Sequence, residues 1–440
     1  MLVTSFSLIA VGLVPYSIVR GFYLLWLHPL AKYSGPKLAA VSNIWYSLHW
    51  LSGRYPWAIE RQFHVYAGDV VRIAPNELAP RSPQAYRDIC GSTQKRQETF
   101  IKTDIQDYSD FTGFPNLGVA ALRDPKKHAQ VARTLQPAFS SHVIQSYHNV
   151  IHQVVDEFIL QLQRRGEVNI TKWAEYLVQD LSGKIVYGRE AKLVKTGEPS
   201  PYVIASRRLP YLAALLIALK RVPLLKYPLF VCLVPWVLIS GIPAVGRTVQ
   251  EKVRARLAQR DDLSSLRHPD HLQPIISPSR ISEEYRSEIY SDDWIIAQAN
   301  SLMAGALGPV TKVIISAIML LCSSPEKMEQ LKQEVHNAFD TYAHITAEAV
   351  QSSCHYLNAV IDEDLRLITP APFGLPRSSP GTHVDVHFVP AGATVQTCNF
   401  ATAHYAEYLF LPHEFHPERF FVHGSAILAM SFALINASPP

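Results

Sequence analysis

The chain begins with 19 residues that carry no charged side chain and are mostly apolar. A helix needs about 20 apolar residues to cross a bilayer, so this start is long enough for an anchor, and Trp26 suits the membrane interface. A cleaved secretory signal is the alternative, but such signals begin with basic residues and end at small ones. Here Arg20, Lys32 and Lys37 all follow the apolar run. We therefore predict one uncleaved anchor helix over residues 1–27, with the body on the cytosolic side.

The body has the composition of a globular protein. The 440 residues are 48% hydrophobic and 18% charged, against about 25% charged in an average soluble protein, which excludes intrinsic disorder. The net charge of +4, from 41 basic and 37 acidic residues, is too balanced for a dedicated nucleic-acid-binding protein. None of the five cysteines is paired at the spacing of metal ligands, which argues against a zinc module or a disulfide scaffold.

Two other stretches bear on the membrane. Residues 28–37 contain Pro and Gly and indicate a stiff hinge between the anchor and the body. A second uncharged run lies between Lys226 and Arg247, where three prolines favour a broken helix over a span. Because residues 208–226 mix apolar with basic side chains, we predict a surface that dips into the bilayer. An ordinary core segment and a true span are the alternatives.

Most of the remaining sequence has helical periodicity. Helices are predicted over residues 128–190, 294–321 and 347–367. The second of these is one long apolar pattern that Gly305, Gly308 and Pro309 interrupt in its middle. Short strands are predicted at residues 69–80, on both sides of a turn, and at residues 384–389 and 394–397. The predicted fold class is therefore mainly α with a small β region.

Short motifs follow one another in the second half of the chain. In Glu363-Asp364-Leu365-Arg366 the acid and the base lie three residues apart and share one helix face; alone, this spacing indicates only an exposed ion pair. Gly374-Leu375-Pro376-Arg377 and then Phe415-His416-Pro417-Glu418-Arg419-Phe420 come after it, and Ala304-Gly305 lies upstream in the long apolar pattern. In this order and spacing the motifs resemble the cytochrome P450 family, in particular its membrane-anchored fungal members of secondary metabolism.

The resemblance implies a cytochrome P450 fold over residues 38–420, incomplete at the C-terminus, followed by a divergent truncated tail over residues 421–440. Glu363, Arg366 and Arg419 would form a buried, hydrogen-bonded triad that holds one helix against the heme-side loop. A buried cluster of this kind specifies geometry more surely than it adds stability. These three residues are therefore expected to be structural.

The resemblance also implies a cofactor and partners. Arg377 would donate a charge-assisted hydrogen bond to a propionate of heme. A second propionate is often held by an Arg four residues after an aromatic residue or His; from His128 that position is Ala132, and Arg133 lies about 100° further round the helix, so it would serve in part. The implied partners are a hydrophobic small-molecule substrate, NADPH-cytochrome P450 reductase and the endoplasmic reticulum membrane.

Two departures concern the chemistry itself. The family supplies a cysteine thiolate to heme iron from a Phe-x-x-Gly-x-Arg-x-Cys-x-Gly loop, and this ligand favours O–O cleavage. Here 20 residues follow Phe420, none of them cysteine, and the last cysteine is Cys398. The oxygen-activating helix of the family reads Ala-Gly-x-(Asp/Glu)-Thr. Here Leu307 replaces the acid, Gly308 replaces the alcohol, and Thr311 comes three residues late on another face.

The sequence therefore predicts a descendant of heme-thiolate monooxygenases that act on a hydrophobic fungal secondary metabolite. We expect it to be inactive as given, because the cysteine loop and the acid–alcohol pair are missing. One alternative is an active monooxygenase whose true sequence after Phe421 contains the cysteine loop. Another is a non-catalytic, membrane-bound partner of pathway enzymes, or a protein that binds a hydrophobic ligand without redox chemistry.

Overall fold

The computed structural model describes residues 14–91, 99–107, 118–189, 191–223, 226–235, 242–259, 270–276 and 291–422. These residues are mainly helical, which confirms the predicted fold class. The α-helices include Lys37–Val41, Ile44–Leu51, Tyr55–Tyr66, Pro83–Cys90, Pro125–Leu135, Ser141–Ser146, His148–Arg165, Ile170–Tyr187, Leu193–Thr196, Pro201–Ser206, Leu209–Lys220, Lys226–Leu233, Ile242–Leu257, Gln273–Ile276, Asp292–Cys322, Pro325–Ala338, Ala347–Ser353, His355–Leu367, Asn399–Ala403 and Arg419–Val422.

The chain forms two compact units. The first unit consists of Met1–Ile105, Ala214–Leu233 and Pro372–Pro412. The second unit consists of Gln106–Ala213, Val234–Ala371 and His413–Pro440. The predicted boundary of one body over residues 38–420 stays a prediction.

The first unit contains the β region. Its five-stranded sheet has the order β1-β2-β7-β4-β3, and a separate hairpin pairs β5 with β6. The strands are β1 Val70–Ala74, β2 Glu77–Pro80, β3 Ile101–Lys102, β4 Arg377–Ser378, β5 Thr382–Val384, β6 His387–Val389 and β7 Thr394–Val395. β1 and β2 are antiparallel, as predicted for residues 69–80, and β2 and β7 are parallel.

The predicted hinge packs against the sheet of the first unit. Leu30 is fully buried, in a cluster with Leu78 and Val395. The Arg72 backbone N–H donates to the Ser34 carbonyl at 2.8 Å. A Cβ on Gly35 would collide with the Arg72 carbonyl oxygen, so the close approach of the two chains requires glycine there. The stiffness predicted for this segment therefore comes from packing as well as from its prolines.

The second unit is built around the helix Asp292–Cys322, called the long helix below. Its 31 residues span about 46 Å, and it runs unbroken through Gly305, Gly308 and Pro309, where the sequence predicted an interruption. Proline removes one helical hydrogen bond. Burial of Met303, Leu307 and Thr311 on one side of the helix holds the turns before and after it.

The helix predicted over residues 347–367 is two helices, Ala347–Ser353 and His355–Leu367, that meet at Cys354. The Glu334 carboxylate accepts the backbone N–H groups of Tyr356 at 2.6 Å and Leu357 at 2.9 Å. This side chain satisfies donors that every new helix leaves unpaired in its first turn. The second helix, called the ExxR helix below, therefore begins where a residue 22 positions upstream caps it.

Two helical segments of the described residues have the length and composition of a membrane span. By those two criteria alone, Pro201–Lys220 and Asp292–Cys322 qualify, and a core helix passes the same test. Residues 14–22 are helical and continue into the π-helix Tyr23–Leu27. The first 13 residues of the predicted anchor, residues 236–241 of the second apolar run and residues 423–440 of the tail lie outside the described residues.

Candidate functional site

The ExxR helix carries a fully buried ion pair. The Arg366 guanidinium donates from Nε to Glu363 Oε2 at 2.7 Å and from Nη2 to Glu363 Oε1 at 2.8 Å. Both side chains are at most 1% exposed. Arg366 Nη2 also donates to the Glu414 carbonyl at 3.2 Å. The pair is bidentate and charge-assisted, which fixes the direction of both side chains.

The segment after residue 413 adds two further donors to the same carboxylate. Arg419 Nε lies 3.1 Å from Glu363 Oε1, and the His416 backbone N–H donates to that oxygen at 2.9 Å. One carboxylate thus holds two guanidinium groups and one backbone turn. The structure brings Glu363, Arg366 and Arg419 together, and the cluster ties residues 414–419 to the ExxR helix.

Glu418, next to Arg419, makes a second tie between the same segments. Its carboxylate accepts from Lys327 Nζ at 3.2 Å and from the Tyr356 hydroxyl at 3.3 Å. Burial alone would raise the pKa of Glu418, but the hydrogen bonds of its own backbone, of Lys327 and of Tyr356 lower it. The ionised form is therefore the one that holds this segment in place.

Asp364 is a buried acid whose burial the sequence pattern does not indicate. It lies between Glu363 and Arg366 in the motif and is fully buried. Burial raises the pKa of Asp364 to about 6, and neither of its carboxyl oxygens has a hydrogen-bond partner among the described residues. Asp364 is buried on the same helix as the Glu363–Arg366 pair, and residue spacing alone does not reveal that its side of the helix is covered too.

Arg377 lies in β4 of the first unit, and its guanidinium makes few hydrogen bonds there. Its Nη1 donates to the Phe100 carbonyl at a long 3.4 Å. Its Nε is buried and has no hydrogen-bond partner among the described residues. Burial and the neighbouring charge of Arg377 lower the pKa of Lys102 to about 8. In the described part of the chain no ion pair joins Arg377 to a carboxylate, so the site is suited to an anionic group.

Arg133 lies in the second unit, near the end of the helix Pro125–Leu135. Val131 and Leu135 of this helix are buried, whereas Arg133 is exposed. Ala132, at the position where the family often has arginine, is half-buried. Of the two predicted propionate ligands, Arg377 thus belongs to the first unit and Arg133 to the second.

The middle of the long helix lacks proton donors at the positions of the family's acid and alcohol. Leu307 is 6% exposed and packs in the core of the second unit with Met303. Gly305 and Gly308 face open space, with no atom within 4 Å of a Cβ built at either position. Thr311 is buried on the side of Leu307, away from the open face at Gly308. Its hydroxyl therefore does not take the place of the missing alcohol.

The residues present do not fit a thiolate-ligated heme. Arg377 suits the anionic edge of such a group, but no cysteine follows Cys398 in the 440 residues. Cys398 itself is 1% exposed and precedes the helix Asn399–Ala403. Burial raises the pKa of Cys398 to about 12, which favours the neutral thiol over the thiolate that binds iron. Among the described residues no cluster of three His, Cys, Asp or Glu side chains could hold a metal ion.

Comparisons with known proteins agree on the origin of the chain. The family model "Cytochrome P450" matches residues 44–427. The chain is 33% identical to cytochrome P450 monooxygenase poxC of Penicillium oxalicum, over 97% of this chain and 80% of the relative. It is 31% identical to cytochrome P450 monooxygenase TwmD of Talaromyces wortmannii, over 96% and 81%. The match to cytochrome P450 monooxygenase BOA3 of Botryotinia fuckeliana is 30%, over 93% and 79%. The chain therefore belongs to the cytochrome P450 family.

Proposed function

We propose that this 440-residue chain descends from heme-thiolate monooxygenases of fungal secondary metabolism and does not itself activate dioxygen. The observation that carries the proposal is the state of the long helix, where Leu307 is buried in the core and Gly308 has no side chain. Proton transfer to a reacting group needs a donor within hydrogen-bond reach. Neither position offers one.

Two candidate heme contacts are present in the chain, whereas a cysteine to ligate the iron is missing from it. Arg377, with an unused buried N–H, and the exposed Arg133 are proposed as the residues that would meet the heme propionates. When bound through a thiolate, heme supplies the oxidising chemistry of the family. The proposed consequence of lacking that thiolate is weak or absent heme retention, with Arg377 alone giving a charge-assisted contact to an anion.

The proposed setting is the endoplasmic reticulum membrane, with the body in the cytosol and a hydrophobic small molecule as ligand. Support comes from the uncharged first 19 residues and from the apolar side chains that face the open side of the long helix, such as Val310, which is 46% exposed. In this reading the chain binds the ligand, or a pathway enzyme that acts on it, without oxidising it.

An active monooxygenase is the second candidate. It is favoured by the names of the relatives and by the intact Glu363, Arg366 and Arg419 cluster, whose geometry serves the heme-side segment of the family. This candidate requires a thiolate supplied by sequence other than these 440 residues, together with electrons from NADPH-cytochrome P450 reductase.

The test is a heme and turnover assay on microsomes that contain the 440-residue chain and the reductase. Heme per chain is measured after extraction, and NADPH consumption is followed with and without dioxygen. The relative poxC of Penicillium oxalicum, expressed in the same way, is the positive control. We expect less than stoichiometric heme and no dioxygen-dependent NADPH consumption. Stoichiometric heme with such consumption would favour the second candidate.

A further inference from the structure

The long helix is apolar along most of its length, yet much of it faces solvent. Of its most apolar stretch of 18 residues, 22% is buried, against 44% in the helical segment Pro201–Lys220. Large contiguous apolar surfaces are rare on soluble monomers and mark interaction sites. The described residues of the second unit therefore leave its central helix partly uncovered.

The exposed residues near the end of this helix lie on one face. Lys312, Met319 and Cys322 are exposed, and Ile315 is half-buried. Met319 is 51% exposed. Steps of three and four residues along the chain place the four side chains in one line on the helix surface. Leu321, on the other side of the helix, is buried. Lys312, Ile315, Met319 and Cys322 are called the uncovered face below.

The last described turn of the chain lies beside one end of the uncovered face. This turn, Arg419–Val422, contacts the ExxR helix, and the rings of Phe421 and Tyr356 stack with their centres 6.1 Å apart. Tyr356 in turn packs with Leu321 of the long helix, the residue next to Cys322. The chain after this turn therefore begins near the Cys322 end of the uncovered face.

The residues that follow this turn have the composition of a buried helix. Residues 425–436 contain no charged side chain, and their only polar residues are two serines and Asn436. In a helix, Leu428, Phe432 and Ile435 would share one face, and apolar residues would occupy most of the other sides. A helix that is apolar all round is buried, and an apolar run of about 10–14 residues is too short to cross a bilayer. This composition indicates a helix that needs a protein surface to cover it.

We propose that residues 425–436 form a helix that packs antiparallel on the uncovered face and completes the second unit. The direction follows from the starting point, because a segment that begins near Cys322 covers the face by running back toward Lys312. The lengths agree, since residues 425–436 as a helix span about 18 Å and the face from Lys312 to Cys322 spans about 15 Å. Lys312 then lies near the carboxyl end of the new helix, where its charge meets the negative end of the helix dipole.

The choice of this segment over a second copy of the chain rests on connectivity. The hydrogen bond of Arg419 to Glu363 fixes the place where the segment starts. A short linker gives a tethered segment an effective concentration of about millimolar at the face, whereas a second copy would lose translational and rotational freedom on association. The inference goes beyond the proposed function and does not depend on heme or turnover.

The test is crosslinking between the far end of the uncovered face and residues 425–436, in microsomes that contain the full-length chain. The variant carries Lys312→Cys and Leu434→Cys, with the exposed Cys232 and Cys322 replaced by Ser. A short bismaleimide joins thiols that lie close together, and mass spectrometry identifies the joined peptides. The matched control pairs Leu434→Cys with Ile159→Cys, on another helix of the second unit, where Ile159 is 44% exposed. Single-cysteine variants on differently tagged, co-expressed chains report contacts between copies.

We expect a crosslink between positions 312 and 434 within one chain, several times more abundant than the control crosslink to position 159. A second measurement does not depend on the crosslinker. Met319→Gln should lower the denaturant midpoint of the full-length chain, because the covered amide would lack a partner, and should leave the midpoint of a chain ending at Val422 unchanged. No preference for position 312, or an equal effect of Met319→Gln in both chains, would overturn the proposal. A crosslink that forms only between differently tagged chains would show that a second copy covers the face, and would overturn it as well.

Discussion

The Glu363 cluster and the middle of the long helix belong to the same unit, and they differ in how much of the family's chemistry they keep. The three charged side chains of the cluster, Glu363, Arg366 and Arg419, lie within hydrogen-bond distance of one another's charged groups. At Leu307 and Gly308 the polar side chains are replaced. The two regions differ in how much a substitution there costs in free energy of unfolding. Removing one member of a buried charge cluster leaves an unpaired charge, whereas an apolar residue or glycine in place of a catalytic acid or alcohol costs the fold little.

The largest effect should come from breaking the buried cluster. Glu363→Ala leaves Arg366 and Arg419 without their carboxylate, and we expect a loss of about 3–5 kcal/mol in the free energy of unfolding. Glu329→Ala is the matched control, because Glu329 and Lys332 form an exposed pair, 60% and 58% exposed, on a neighbouring helix. Exposed pairs contribute at most about 1 kcal/mol. Denaturant unfolding of both variants measures the difference, and equal losses would show that the cluster is not a structural restraint.

Asp364 should give a smaller effect that depends on pH. Because burial raises its pKa to about 6 in the folded chain, from about 3.9 unfolded, the folded state binds this proton more tightly. The free energy of unfolding should therefore fall as pH rises from about 4 to about 6 and stay low above that range, by about 3 kcal/mol at most.

The variant Asp364→Asn removes this titration while keeping the size of the side chain. We expect it to be more stable than the parent at pH 7 and equal to it near pH 4. Asp340→Asn, the same replacement at an exposed position, is the matched control. A parallel pH dependence in Asp364→Asn and the parent would mean that Asp364 is solvated in solution.

The smallest effect concerns the altered segment itself. Since a Cβ at Gly308 meets no atom within 4 Å, Gly308→Ala should stabilise the long helix by about 0.5–1 kcal/mol. Gly35→Ala is the opposite case, because its Cβ would collide with the Arg72 carbonyl, and it should destabilise the chain. Thermal unfolding of the two variants tests whether the open face at Gly308 is free of packing constraints. A destabilised Gly308→Ala would contradict that description.

Much of the local structure could be predicted from the sequence. Spacing placed Glu363 and Arg366 on one helix face, and the resemblance to the cytochrome P450 family implied their partner Arg419. The start of the ExxR helix could not be predicted, because the cap comes from Glu334, in a different helix. The continuity of the long helix was also missed. Gly and Pro locally favour a break, but tertiary burial on either side of Pro309 outweighs that preference.

The functional residues could be predicted from the sequence only where they belong to a short motif. Arg377 was identified through its motif, yet its buried and unused Nε depends on β3 and Phe100, which lie far away in sequence. Asp364 was missed for the same reason, since periodicity gives the faces of a helix but not which of them is covered.

The most direct test of the central claim, that the chain keeps the family's scaffold without its heme-thiolate chemistry, is a reduced carbon monoxide difference spectrum. It should be recorded on microsomes that contain the 440-residue chain, after cooperative unfolding of the same preparation has shown that the chain is folded. We predict no Soret band at the position typical of a thiolate-ligated heme. A full thiolate-type band from the folded chain would contradict the account, because a cysteine would then reach the iron in spite of the sequence after Cys398.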